Sequence, residues 1–159
     1  MDKFIIYADP TILSASGKIL LATFLGGFVG YVRGRYGKPA GIKTHALVCV
    51  GACMVTLVSS LSALRHGGDP MRLPAQVISG IGFVGAGTIL VNHGKITGLT
   101  TAAALWFAGC LGILIGSDYT ILVIPAILSY LTIIFFFVHF DKPVEEGGHV
   151  SSDSPHKQE

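Results

Sequence analysis

The stretch Thr44–Leu64 runs for 21 residues without an aspartate, glutamate, lysine or arginine. A helix of about 20 mainly apolar residues is what crosses about 30 Å of hydrocarbon, so this stretch places the chain in a bilayer. Composition agrees. Of the 159 residues, 51% are hydrophobic and only 13% charged, against roughly 25% charged in soluble domains. That balance excludes a disordered chain, a disulfide scaffold and an ordinary soluble enzyme. A formal charge of +2, with no basic cluster interleaved with aromatics, gives no reason to expect nucleic acid. Cys49, Cys53 and Cys110 all lie in apolar blocks, where an odd number reads as reduced packing residues.

Around that stretch the hydropathy pattern predicts an all-α, polytopic membrane protein of about five transmembrane helices, 19–32, 44–64, 74–92, 100–117 and 119–140. The first is short for a bilayer and rich in glycine, and Lys18 and Arg33 flank it, so it is expected to snorkel or thin the membrane. Residues 1–18 are expected outside the cytoplasm; Asp2 and Asp9 and the short apolar run do not read as a cleaved signal peptide. Residues 141–159, with EEGG, SSDS and HKQE, are expected to be a disordered cytoplasmic tail. The connection from Arg33 to Lys43 carries Arg33, Arg35, Lys38 and Lys43 and no acid, which places it in the cytoplasm. The second connection holds Arg65, Asp69 and Arg72, the third only Lys95 and the fourth only Asp118. Five helices then put the N-terminus out and the C-terminus in.

The chain also repeats itself. GFVG occurs at 27–30 and again at 82–85, each followed by Gly-Lys (37–38, 94–95). Next come PAGIKTHALVCVGAC (39–53) and ITGLTTAAALWFAGC (96–110), pairing Gly41, Thr44, Ala46 and Cys53 with Gly98, Thr101, Ala103 and Cys110. The fold is therefore read as two parallel two-helix repeats plus a fifth helix, with a ligand or contact site where the copies meet.

Few polar groups fall near membrane depth. Asp69-Pro70 looks like an N-cap followed by proline at the first helical position, with Arg72 and Gln76 on the same face. These three form a candidate functional polar cluster, since Gln76 enters the apolar layer and needs a partner. Asp69 is the best acid for a cation, although no metal site is assigned. Gly80, Gly82, Gly85 and Gly87 sit in GIGFVGAGT. A dinucleotide fingerprint needs a strand-to-helix turn at water depth, so inside an apolar segment these glycines read as helix-packing positions. Arg33, Lys43, Thr44 and His45 form a cytoplasmic block, with His45 expected at the interface. His45, Cys49 and Cys53 line one face of the second helix, a spacing open to a soft metal but short of a third ligand type. No nucleophile elbow, HExxH or Walker pattern is present, so no enzyme activity is expected and no cofactor is called for.

Three blocks in order carry a resemblance: AGIKTHALVCVGA (40–52), DPMRLPAQVISGIGFVGAGTIL (69–90) and GLTTAAALWFAG (98–109). They resemble the signature blocks of the MgtC/SapB family of bacterial inner-membrane proteins, over about Ile19 to Ser117. Val32 stands where that family has an acid before its arginine, and Lys43 where it has arginine. The resemblance implies a non-enzymatic regulator linked to magnesium homeostasis, low-magnesium growth and virulence-type survival inside macrophages. It implies contacts with the bilayer, with further copies through the glycine-rich helices, and with another membrane protein such as the F-type ATP synthase. It also points to Asp69, Arg72, Gln76 and the four glycines as one functional block, and to Arg33, Lys43, Thr44 and His45 as the other. The competing expectation is a transporter of a cation or small solute, with its site near Asp69, Arg72 and Gln76.

Overall fold

The computed structural model describes residues 10–35, 40–92, 95–117 and 119–138. Five helices follow in chain order: α1 (Pro10–Arg35), α2 (Ile42–His66), α3 (Arg72–Ala86), α4 (Leu99–Gly116) and α5 (Val123–Val138). A short antiparallel hairpin, β1 (Leu90–Asn92) with β2 (Lys95–Thr97), joins α3 to α4, and a 3-10 turn (Thr120–Leu122) leads into α5. The protein is thus an all-α membrane protein with one small β insertion. Residues 13–35, α2 and α4 are each long and apolar enough to cross a membrane.

Two compact units divide the chain, residues 1–126 and 127–159. In the first, α1 to α4 pack together. The described part of the second is the apolar remainder of α5, which ends at Val138.

Close backbone approaches set the directions of the helices. A side chain at Gly26 would meet Cys49 Cβ and the His45 carbonyl, and one at Gly30 would meet the Gly41 carbonyl and Ile42 Cα. Descending α1 therefore means ascending α2, an antiparallel hairpin. Gly85 lies against Ala102, and Ile81 fills the notch at Gly109, so α3 and α4 form a second antiparallel hairpin. Between the hairpins, Gly112 presses on Cys49 and Ala52, and Gly116 on Cys53 and Thr56. Both contacts advance together, so α2 and α4 run parallel. The two hairpins have the same direction, as the repeat implied. Gly30 and Gly85, which close the two GFVG copies, each seat on the start of the following helix. Small residues make these crossings possible because backbones in lipid associate by close packing rather than by hydrophobic burial.

Three helices differ from the sequence expectation. The first helix is not the short 19–32 segment but extends from Pro10 to Arg35. Ser14, Gly17 and Lys18 continue it because Lys18 finds carbonyl partners on α4, so no thinning is needed. The expected N-terminal segment 1–18 therefore contributes its second half to α1, while residues 1–9 lie outside the described residues. The third helix does not reach Asn92. It stops at Ala86, where Thr88 Oγ1 donates to the Gly85 carbonyl at 2.8 Å, and the β-branched residues Val91, Ile96 and Thr97 enter the hairpin. With 15 residues, at about 1.5 Å each, α3 is too short to span the hydrocarbon alone. Its start also shifts: Asp69-Pro70 do not act as N-cap and first residue. Met71 holds the cap position, and Asp69 Oδ1 accepts the Met71 N–H at 2.8 Å, forming a turn ahead of the helix. The fifth helix opens with the 3-10 turn, and the tail 141–159 lies outside the described residues.

Candidate functional site

Two polar regions occupy opposite ends of the α1–α4 bundle. At one end the last turn of α1 meets the first turns of α2 and α4. Arg33 was expected to snorkel from a flanking loop, yet it is only 2% exposed. Its guanidinium Nη2 donates to Thr101 Oγ1 at 2.9 Å, tying α1 to the start of α4. Thr101, the repeat partner of Thr44, is itself buried, whereas Thr44 and Lys43 are exposed. Lys38 lies outside the described residues.

His45 is also corrected. It is not an interfacial side chain but is fully buried, with Nδ1 at 2.9 Å from the Gly41 carbonyl. A carbonyl only accepts, so Nδ1 carries the proton and Nε2 presents a lone pair. Nε2 has no hydrogen-bond partner among the described residues. Below it, Cys49 and Cys53 are buried free thiols at the crossings with Gly26, Gly112 and Gly116. Their work there is packing, with small side chains that let three backbones approach.

At the other end stand the predicted residues Asp69, Arg72 and Gln76, all exposed. Asp69 and Arg72 share a small recess of about 100 Å³ with Ser59, Ser62, Gly67 and Gly68. Gln76 is not part of it. It lies on the outward face of α3 with Ser79, Gly80, Phe83 and Gly87, all exposed. Of the four glycines read as packing positions, Gly85 is buried against Ala102, while Gly80 and Gly82 have no atom within 4 Å of where a side chain would start. Gly87 meets only carbonyls of its own helix.

The seam where the two repeats meet is closed in its middle by Gly112 and Gly116 on α2, so it leaves no room for a solute there. Open space lies instead at its end. Lys18, which the hydropathy pattern treated as a helix flank, donates to the Ser117 carbonyl at 3.0 Å and the Gly116 carbonyl at 3.4 Å. It borders a cavity of about 550 Å³ between α1, α2 and the end of α4. The signal for Lys18 was its position just ahead of an apolar segment too short to span the hydrocarbon. Nothing local marked Thr101, because its partner is 68 residues away.

Comparison with known proteins now decides the lineage. The sequence pattern of the MgtC family matches residues 19–144. This chain belongs to the MgtC family. SapB of Bacillus subtilis (strain 168) is 43% identical over 120 residues, covering 71% of this chain and 50% of SapB. YhiD of Escherichia coli (strain K12), described as a candidate magnesium transporter, is 38% identical over 126 residues, 75% of this chain and 59% of YhiD. The MgtC protein of Brucella abortus (strain 2308) is 42% identical over 96 residues, 60% of this chain and 40% of that protein. The chain spans about half the length of the curated relatives it matches. No solved structure matches it. As an MgtC-family chain it is a membrane protein, and both polar ends described above, with the three signature blocks, fall within the matched region.

Proposed function

We propose that this MgtC-family chain is a non-enzymatic membrane regulator linked to magnesium homeostasis and low-magnesium adaptation, acting through helix contacts with other membrane proteins. The observation that carries this reading is the outward face of α3. Gln76, Ser79, Gly80, Phe83 and Gly87 recur at the helical spacing i, i+3, i+4, i+7 and i+11, and all are exposed. Small residues and a side-chain amide on one apolar helix face suit a neighbouring helix better than lipid tails. A second copy or another membrane protein would cover them, and the resemblance makes the F-type ATP synthase the partner to try first. In this reading the chain is a multi-pass protein of the bacterial inner membrane, with the basic Arg33 end in the cytoplasm and the N-terminus outside.

Co-purification from membranes tests it. Ser79→Leu and Gly80→Leu should abolish recovery of the partner or of a differently tagged copy while monomer yield is kept. Retained recovery with both variants sinks the contact reading. A transporter is the second reading, favoured by the recess that Asp69 and Arg72 share with Ser59 and Ser62 and by the description attached to YhiD. It requires that Asp69→Asn abolish ion flux in proteoliposomes with assembly intact. A purified protein that moves no ion under any gradient rejects it.

A further inference from the structure

The four helices of the first unit come to one level at the basic end. Gly30 seats on Gly41 and Ile42, Arg33 bonds to Thr101, and Gly85 lies against Ala102. The end of α1, the start of α2, the end of α3 and the start of α4 therefore stand together. With 18 residues, α4 is about 27 Å long at about 1.5 Å per residue, close to the thickness of the hydrocarbon layer. Its first residue, Leu99, accordingly marks a bilayer boundary. Two further observations agree. Tyr31, one turn before the end of α1, is 49% exposed, with the Arg35 guanidinium 5.8 Å from its ring centre, and tyrosine gathers at headgroup level. Arg35 and Lys43 are both exposed here, where basic side chains meet lipid phosphates.

The hairpin hangs from this boundary. Gly98 seats against the Thr88 carbonyl, so β1 and β2 leave the bundle at the headgroup layer. Opposing residues of an antiparallel pair share a face, and neighbours along a strand alternate. Val91 stands opposite Ile96, so these two β-branched side chains lie on one side, with Leu90 and Thr97 on the other. Val91 is 71% and Ile96 55% exposed. The bundle leaves that side uncovered. A two-stranded hairpin is marginal in water by itself, and each strand here has three residues. Its stability has to come from whatever covers Val91 and Ile96.

We propose that the hairpin is a membrane anchor: its Val91–Ile96 side enters the headgroup–acyl boundary of the adjoining leaflet, and Arg35 and Lys43 hold anionic phospholipid headgroups at the same level. Depth selects lipid as the cover. β2 ends two residues before Leu99, so at about 3.3 Å per strand residue Ile96 lies within roughly 10 Å of the hydrocarbon. That is the depth at which amphipathic segments bury their apolar side in a bilayer surface. A second copy fits less well, because two side chains and a three-residue edge fall far short of the about 800 Å² per partner of a standard interface. The hairpin backbone stays in the headgroup layer, within reach of water-soluble reagents from that side. The proposal holds whether the chain regulates or transports.

Fluorescence quenching tests it on the full chain in nanodiscs, with an NBD fluorophore on a single cysteine in a cysteine-free background. Lipid carrying a nitroxide at the top of its acyl chain should quench Val91→Cys and Ile96→Cys several-fold more than Thr97→Cys, and aqueous iodide should do the reverse. Equal iodide quenching on the two sides of the hairpin overturns the anchor. Shielding of Val91→Cys from both quenchers overturns the lipid assignment, and loss of that shielding at one chain per disc identifies a second copy as the cover. With the nitroxide on trace phosphatidylglycerol or trace phosphatidylcholine, quenching at Val91→Cys should favour phosphatidylglycerol by about five-fold or more, the effect of about 1 kcal/mol for one basic residue at an anionic surface. Arg35→Gln with Lys43→Gln should erase that preference, and Arg35→Lys with Lys43→Arg should keep it. Equal quenching by the two lipids, or a preference that survives the glutamine pair, overturns the headgroup assignment.

Discussion

Arg33 Nη2 and Thr101 Oγ1, 2.9 Å apart, join the last turn of α1 to the first turn of α4 inside the protein. Arg33 ends the first hairpin's opening helix, and Thr101 starts the second hairpin's closing one, so one hydrogen bond links the two repeats at their basic end. At the opposite end Lys18 bonds to Gly116 and Ser117 across the same pair of helices. α1 is therefore fastened to α4 at both ends by a cation on α1 and oxygen acceptors on α4.

Removing the acceptor should be costly because the guanidinium stays buried. Hydrogen bonds to charged groups contribute about 1.5–3 kcal/mol, so Thr101→Val should destabilise the purified protein by about that amount. Thr101→Ser, which keeps the hydroxyl, should recover most of the loss. Thermal unfolding in a mild detergent reads both, and a Thr101→Val protein as stable as the parent would contradict the assignment.

The parallel seam makes a contrast between glycines. Gly112 faces the Cys49 carbonyl and Ala52 with no space for a methyl group, whereas Gly51, on the exposed side of α2, has nothing within 4 Å. Overpacking costs about 1–3 kcal/mol, and Gly112→Ala should lose at least that, because backbone cannot rotate aside. Gly51→Ala should be neutral or stabilise by up to about 1 kcal/mol through helix propensity. Yield and melting temperature should fall in Gly112→Ala and stay level or rise in Gly51→Ala.

What was legible in the sequence follows from which forces leave a local mark. The ends of α2 fell within two residues of the expected 44–64 because an unbroken apolar block needs no partner to be recognised. The repeat was readable because glycine spacing encodes backbone approach, and Gly30 and Gly85 do occupy matching places. The extra turns of α1 were hidden: Ser14, Gly17 and Lys18 look like loop residues until the carbonyls of Gly116 and Ser117 are brought beside them. The end of α3 was hidden for another reason, since hydropathy cannot tell the apolar strand Leu90–Asn92 from a further helical turn. Arg33 is tied to Thr101 of α4, far away in the chain, and no local pattern carries that. Of the polar candidates, Asp69 and Arg72 share a recess but Gln76 does not, because the α3 start at Arg72 puts Gln76 on the outer face.

The directions of the hairpins predict sidedness. Lys43, at the start of α2, and Ile96, in β2, are both exposed and belong to connections at the same end of the bundle. Met71, ahead of α3, belongs to the other end. In a cysteine-free background, Lys43→Cys and Ile96→Cys should react with an impermeant maleimide only when the cytoplasmic face is open. Met71→Cys should react from outside in intact cells. Labelling of Lys43→Cys and Ile96→Cys from opposite sides would overturn the parallel arrangement.

The last prediction concerns the junction between hairpin and helix. Gly98 has φ of 88°, in the left-handed region, and its α-carbon lies where a side chain would collide with the Thr88 carbonyl. A non-glycine residue in that backbone conformation costs about 1–2 kcal/mol before any collision is counted. The collision is with backbone, so it cannot be relieved by a rotamer change. Gly98→Ala should therefore break the close approach of Gly98 to Thr88 and Ile89 and free the hairpin, while α4, whose own contacts with α2 lie further along at Gly112 and Gly116, stays in place. Hydrogen exchange separates the two outcomes. Amides of residues 90–97 should lose protection in Gly98→Ala, with those of residues 105–116 unchanged, whereas equal loss in both would mean that the junction holds the whole helix and not the hairpin alone.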